Sequence, residues 1–141
     1  MFYHYLMVLN LNSHFKEIKK NKKYMKKIYL AIPYSGMCES SFEQSLVVTT
    51  HLMKSGDVNI FSPIINSHLL AKSGLPGDWL FWETIDKQYV EWCDEIWVLI
   101  PKEGFSYVIN SKGVQEEIVY GKELKKSIKY IYFENNEIYW L

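Results

Sequence analysis

The sequence predicts an α/β domain built on a single doubly wound, mainly parallel sheet with helices on both faces. Three observations predict it. Short apolar runs recur near residues 28, 58, 96 and 128, helix-periodic segments separate them, and glycine or proline punctuates the changes from one to the other.

Regular alternation begins only after a lysine-rich segment at 12–27 (Lys16, Lys19, Lys20, Lys22, Lys23, Lys26, Lys27). Residues 1–26 are therefore read as an N-terminal arm, with Met25 as a candidate natural start, and 27–141 as the domain. Ile28-Tyr29-Leu30-Ala31-Ile32 is a nearly unbroken apolar run that ends in Pro33-Tyr34-Ser35-Gly36, the pattern of a buried parallel strand entering a loop. Ser40 or Ser41 is placed to cap the next segment, where Phe42, Leu46, Val47 and Met53 recur at helical spacing until Gly56. Val58 to Ser62 reads as a second strand, closed by Pro63. A long connection over 63–78 follows, broken by Gly74, Pro76 and Gly77.

Asp78 is a helix cap before Trp82, Ile85, Tyr89 and Trp92, which fall at three- and four-residue steps. Ile96-Trp97-Val98-Leu99-Ile100 is the most apolar run and belongs in the middle of the sheet. A polar loop over 101–113, a helix from about Val114 to Leu124 and a strand over Ile128–Phe133 complete the alternation. Glu137–Leu141 is either a short edge strand or a segment that packs on a neighbouring subunit. Such a Rossmann- or flavodoxin-like order places ligands outside the carboxyl ends of the strands, so the loops at 33–40, 63–78 and 101–113 are expected to share one rim.

Composition narrows the function classes. The 16 basic and 16 acidic side chains cancel, which disfavours a nucleic acid polymer or an anionic membrane as partner. Cys38 and Cys93 lie in unrelated settings, one in a polar loop and one closing an apolar segment, which predicts reduced thiols and a cytoplasmic location. The apolar opening Met1–Leu11 lacks a basic front and a cleavage site and is too short to span a bilayer. None of the four histidines forms a ligand-spaced set with the carboxylates, so no metal is expected, and no cofactor-binding fingerprint is present. A P-loop, a dinucleotide fingerprint and a nucleophile elbow are all missing, which removes the main support for kinase, dehydrogenase and serine-hydrolase chemistry.

Candidate chemistry gathers on the expected rim: Asp86, Ser111, Gly113, Glu116 and Glu117. Glu117 is expected in the first turn of its helix, where free N–H groups and the helix dipole favour anions. Either Glu116 or Glu117 serves equally well as the partner of Ser111 in a capping box. Gly113 permits close backbone approach to a ligand or simply makes a turn. Asp86, between Glu83 and Lys87, fits a salt-bridged solvent face as readily as a pocket.

Taken together, Ile28–Tyr34, Ser62-Pro63, Gly74–Trp79, Asp86, Cys93–Leu99 and Ser111–Ile118 resemble the nucleoside 2-deoxyribosyltransferase-like superfamily, most closely a phage and bacterial branch known only as a domain of unknown function. The resemblance covers about residues 27–133 and implies a role for each matched position. Tyr29 would line the pocket with Pro33 and Tyr34, Asp86 would contact the base and assist its departure, and Glu117 would attack the anomeric carbon. Ser111 matches the position at which nucleotide-monophosphate hydrolases of the superfamily hold the 5′-phosphate. The loop Pro33-Tyr34-Ser35-Gly36 departs from the glycine, serine and arginine of the phosphate-reading members. The implied activity is N-glycosidic bond hydrolysis or deoxyribosyl transfer on a nucleotide or nucleoside; the alternative is a non-catalytic protein that holds a nucleotide-derived metabolite in the same pocket. The resemblance and the 16% aromatic content together imply a homodimer or larger even assembly.

Overall fold

The computed structural model describes residues 24–141; most of the proposed N-terminal arm lies outside them. Five strands form one sheet: β1 (Lys26–Ala31), β2 (Val58–Phe61), β3 (Glu95–Leu99), β4 (Ser127–Glu134) and β5 (Glu137–Trp140). Their spatial order is β2-β1-β3-β4-β5, and every pairing is parallel except the last. The expected doubly wound α/β architecture is therefore the observed one, with β3 in the middle of the sheet.

Five helices connect the strands: α1 (Cys38–Met53), α2 (Pro63–Lys72), α3 (Trp79–Trp92), α4 (Phe105–Asn110) and α5 (Lys112–Glu123). Side chains of β1 alternate between two cores, as the pleat demands. Ile28, Leu30 and Ile32 join Val48 of α1 and Ile64 of α2 on one face, with Ile60, Trp97, Leu99 and Ile131. Tyr29 and Ala31 join Val90 of α3, Val108 of α4, and Val114 and Ile118 of α5 on the other. Burial on both sides explains why the strand sequences are continuous apolar runs rather than alternating ones. Helix α5 lies close to the sheet at Gly121, where an added Cβ would collide with Ile96 Cδ1 and sit 3.2 Å from Ile128 Cδ1.

Three local expectations are corrected. The 63–78 connection is largely helix α2: Ser62, expected in the second strand, is its N-cap, and the hydroxyl accepts from Ile65 N at 3.3 Å. Pro63, read as closing the second strand, occupies the first helical turn, where its missing N–H costs nothing. The 101–113 loop contains the short α4. Helix α1 starts at Cys38 with Met37 as N-cap and no side-chain cap; Ser40 binds Glu103 at 2.6 Å, and the Ser41 hydroxyl donates to the carbonyl of Pro33.

Asp78 does cap α3, accepting from Phe81 N at 3.0 Å. The alternatives at the C-terminal end resolve toward an edge strand: Asn135 and Asn136 both take positive φ, 51° and 58°, and turn β4 into antiparallel β5. Among the described residues, no helix is long and apolar enough to cross a membrane.

Candidate functional site

Strand order reverses between β1 and β3, because β2 lies to one side of β1 and β3 to the other. The loops leaving the carboxyl ends of these strands must separate there, which opens a crevice. A cavity of about 610 Å³ occupies it, well within the range of small-molecule sites. Its walls are the loop after β1 (Ile32 to Ser35), one side of α2 (Pro63, Ile64, Ser67, Ala71), the start of α3 (Trp79, Trp82, Asp86), and the stretch from Ser106 into α5. All three expected rim segments contribute, as does Lys112, the one basic residue in the lining.

Two carboxyls reach this cavity from helix positions that ordinarily hold core residues. In α3 the buried stripe is Trp82, Asp86 and Val90, at four-residue steps. The expected stripe through Ile85, Tyr89 and Trp92 is displaced by one position, and Tyr89 instead stacks on Phe61 with ring centroids 3.6 Å apart. In α5 the buried stripe is Val114, Glu117, Ile118 and Gly121. Asp86 is 6% exposed and Glu117 5%, so the solvent-face reading of Asp86 does not apply.

Helix α5 begins at Lys112, which places Glu117 beyond the first turn where it was expected. Ser111 caps the helix by accepting from Val114 N at 3.3 Å, and neither glutamate completes a capping box. The two neighbours also separate in role: Glu116 accepts a 2.9 Å hydrogen bond from Trp79 Nε1, whereas Glu117 Oε2 finds no partner among the described residues. Asp86 Oδ1 and the Tyr29 hydroxyl are likewise buried and unpartnered. Tyr29 is fully buried in β1 and stands behind the cavity wall rather than on it. Its hydroxyl lies near enough to Glu117 to perturb it, without the geometry of a closed hydrogen bond.

Leaving three polar oxygens unsatisfied in a buried cluster is costly, about 1–3 kcal/mol each in ordinary cores. The acids respond by holding their protons. Burial pushes Asp86 up to about 7. It pushes Glu117 up to about 8, where the Tyr29 hydroxyl partly offsets the rise and the neighbouring Asp86 charge adds to it. Tyr29 is raised well above its ordinary value, first by burial and then by the charges of Glu117 and Asp86. Because the Asp86 charge raises Glu117 further, the two buried carboxyls do not readily ionise together.

The walls are fixed from both sides. Trp82 Nε1 donates to the carbonyl of Pro76 at 2.7 Å, pinning the linker between α2 and α3. At Gly113 an added Cβ would lie 3.2 Å from Trp79 Cε3. A side chain at 113 would have to push the Trp79 ring aside by a few tenths of an ångström, and local sequence does not reveal this pairing. Pro33 and Tyr34 line the cavity, and the Tyr34 hydroxyl lies 2.8 Å from His68 Nδ1. Ser111 and Gly113 line it as well. Among the described residues, no three His, Cys, Asp or Glu side chains cluster as a metal site.

A family model described as "Domain of unknown function (DUF1937)" matches residues 26–131. The chain belongs to this family. The matched segment runs from the first residue of β1 into β4 and contains every residue that lines the cavity, so the pocket lies wholly within the DUF1937 domain; of the described strands and helices, β5 and the end of β4 lie beyond it. A search of curated proteins found no match.

Proposed function

We propose that this DUF1937 domain cleaves the N-glycosidic bond of a nucleotide or nucleoside, as a hydrolase or as a nucleoside 2-deoxyribosyltransferase-like enzyme. The observation that carries the reading is the pair of unpartnered carboxyls, Asp86 and Glu117, buried against one walled cavity. Breaking the bond from the anomeric carbon to the base nitrogen leaves positive charge on the sugar and an electron pair on the base. Glu117 captures the anomeric carbon as the bond breaks, and Asp86 gives its proton to the departing base. Water or a second base then displaces Glu117, and Asp86 takes up the proton that the incoming nucleophile releases.

The electrostatics of the pair suit this sequence. In the ligand-free pocket both acids hold their protons to near neutrality, Asp86 to about 7 and Glu117 to about 8. Positive charge growing on a sugar beside Glu117 favours ionisation there and leaves a proton on Asp86, where the base needs it. Tyr29 would bias Glu117 toward ionisation by its hydroxyl. Lys112 beside Ser111 at the N-terminus of α5 supports a phosphorylated ligand and supplies a cation that the β1 loop lacks. A homodimer or larger even assembly is part of the proposal, because Leu69 and Leu70 of α2 and Leu80 and Phe81 of α3 expose apolar surface on the elements that frame the cavity.

A second reading has its own support. Carboxyls that keep their protons near neutrality donate hydrogen bonds without attacking, so the same cavity would hold a nucleotide-derived metabolite intact. A mass-spectrometric screen against pooled nucleosides and nucleotides separates the two. Base release by the wild type and not by Glu117→Ala is the expected result; retention of an intact ligand by both, with no base released, would establish the binding protein instead.

A further inference from the structure

One buried titratable group beside the cavity has no part in the carboxyl pair. His68, on α2, is 2% exposed. Phe42 stacks on its ring with centroids 4.5 Å apart, and the Tyr34 ring meets it edge-on at 5.7 Å, so the imidazole is held in place. Its Nδ1 lies 2.8 Å from the Tyr34 hydroxyl oxygen, and its Nε2 lies 3.4 Å from Glu39 Oε2. Glu39 is itself held by Lys72 Nζ at 2.5 Å. The Glu39 contact is longer than a closed hydrogen bond, so its hold on the ring is electrostatic.

A neutral imidazole carries one N–H, and an ionised carboxylate only accepts. Lys72 keeps the Glu39 carboxyl below its ordinary value, so it is ionised near neutrality. Of the two neutral tautomers of His68, the field of this carboxylate favours the one with the hydrogen on Nε2, which leaves a bare lone pair on Nδ1. In that tautomer the Tyr34 hydroxyl donates its only hydrogen to Nδ1. Burial, with Cys38 and Glu39 nearby, pushes this hydroxyl up to about 12, so it keeps the hydrogen. Tyr34 lines the cavity, and with its hydrogen engaged by His68 the hydroxyl has only lone pairs to offer a ligand.

We propose that His68, oriented by Glu39, is a positioning residue that fixes the Tyr34 hydroxyl as a one-way acceptor facing the cavity, selecting ligands that present a hydroxyl or amine hydrogen there. The inference rests on the glycosidase reading only for the identity of that ligand, in which the hydrogen belongs to a sugar hydroxyl or to an exocyclic amine of the base.

Two measurements on the whole chain test it. Long-range 15N–1H NMR of histidine-labelled protein, with His68→Asn to assign the ring, is expected to show the Nε2–H tautomer; an Nδ1–H tautomer would overturn the proposal. Binding is then compared across nucleosides with and without the 2′- or 3′-hydroxyl, and with and without an exocyclic amine. Tyr34→Phe and His68→Leu are each expected to weaken binding about 10-fold for nucleosides that carry the recognised hydrogen, and not for counterparts that lack it. The double variant is expected to be no worse than either single one. His68→Asn, whose Oδ1 stands where Nδ1 stood, should restore most of the loss. Equal losses for every nucleoside, with no rescue, would reduce His68 to a packing role. If the wild type binds none of them, the proposed substrate class fails, while the tautomer measurement still decides the inference.

Discussion

Glu95 and Glu117 are buried almost equally, 8% and 5% exposed, at opposite ends of the sheet, and they are in opposite electrostatic states. Glu95 opens β3 at the end away from the cavity and accepts hydrogen bonds from Trp97 Nε1 at 2.8 Å, Lys26 Nζ at 3.0 Å and Lys129 Nζ at 3.1 Å. Burial alone would raise its carboxyl, but these three donors outweigh burial and hold it below the ordinary value. Glu117 lies deeper, against the cavity rather than beside half-exposed lysines, and has no such donors, so burial dominates and its carboxyl rises to about 8. A buried charge whose hydrogen bonds are completed is part of the scaffold. One left open against a cavity, with a second open acid for company, is a candidate for chemistry.

The largest effect that would break this contrast is on turnover. Glu117→Gln is expected to lower base release by about 10³-fold, and Asp86→Asn by about 10²-fold, with the fold intact by circular dichroism. Glu95→Gln should leave the rate within a factor of about 2, because nothing at the far end of the sheet touches the reacting atoms. Comparable losses in the Glu95 and Glu117 variants would mean that burial, rather than the open pair, is what matters.

Stability should respond in the reverse sense. Glu95→Ala is expected to cost about 1–3 kcal/mol in urea unfolding, since it leaves Trp97 Nε1 and two half-exposed lysines without their acceptor. Glu117→Gln should be neutral or stabilising above pH 8, because it removes a carboxyl that must otherwise ionise in a buried site. The pH dependence follows with opposite signs. The folded value of Glu117 lies above the unfolded 4.5, so its contribution is fully present below 4.5 and is lost as the pH rises through about 8. The folded value of Glu95 lies below 4.5, so its contribution is present above 4.5 and is lost as the pH falls through the lowered value. Unfolding of each Gln variant beside the wild type across this range reads both slopes.

Turnover that needs one proton on the pair is expected to follow a bell-shaped pH profile, with flanks near about 7 and about 8. A smaller effect sharpens the cavity side of the comparison. Gly113→Ala should displace the Trp79 ring, cost about 1 kcal/mol and shift tryptophan fluorescence, without altering the titration of Glu95.

Much of this was legible in the sequence, for physical reasons that differ by element. β1 and β3 announce themselves because burial on both faces demands unbroken apolar runs. α2 hides behind Pro63, since the residue that ends most elements is also welcome at a helix start, and its paired apolar residues lack a single clear stripe. Glu117 stands at a core position between Val114 and Gly121, a signal present in the spacing, yet its neighbour Glu116 masks it until tertiary packing assigns one to Trp79 and the other to the cavity. Asp86 is obscured because aromatic residues on both sides of it offer a competing helical period one position away. The packing of Trp79 on Gly113 and the Glu39–His68–Tyr34 chain join residues distant in sequence, and no local pattern encodes such contacts.

The contrast itself is most directly tested by 13C-detected titration of the glutamate side-chain carboxyls in the ligand-free protein, with Glu117→Gln and Glu95→Gln assigning the two resonances. Glu117 is expected to titrate at about 8 while Glu95, in the same sample, titrates below 4.5. A Glu117 carboxyl that ionises in the ordinary range would contradict it, and would remove the physical basis for reading the Asp86–Glu117 pair as a catalytic site.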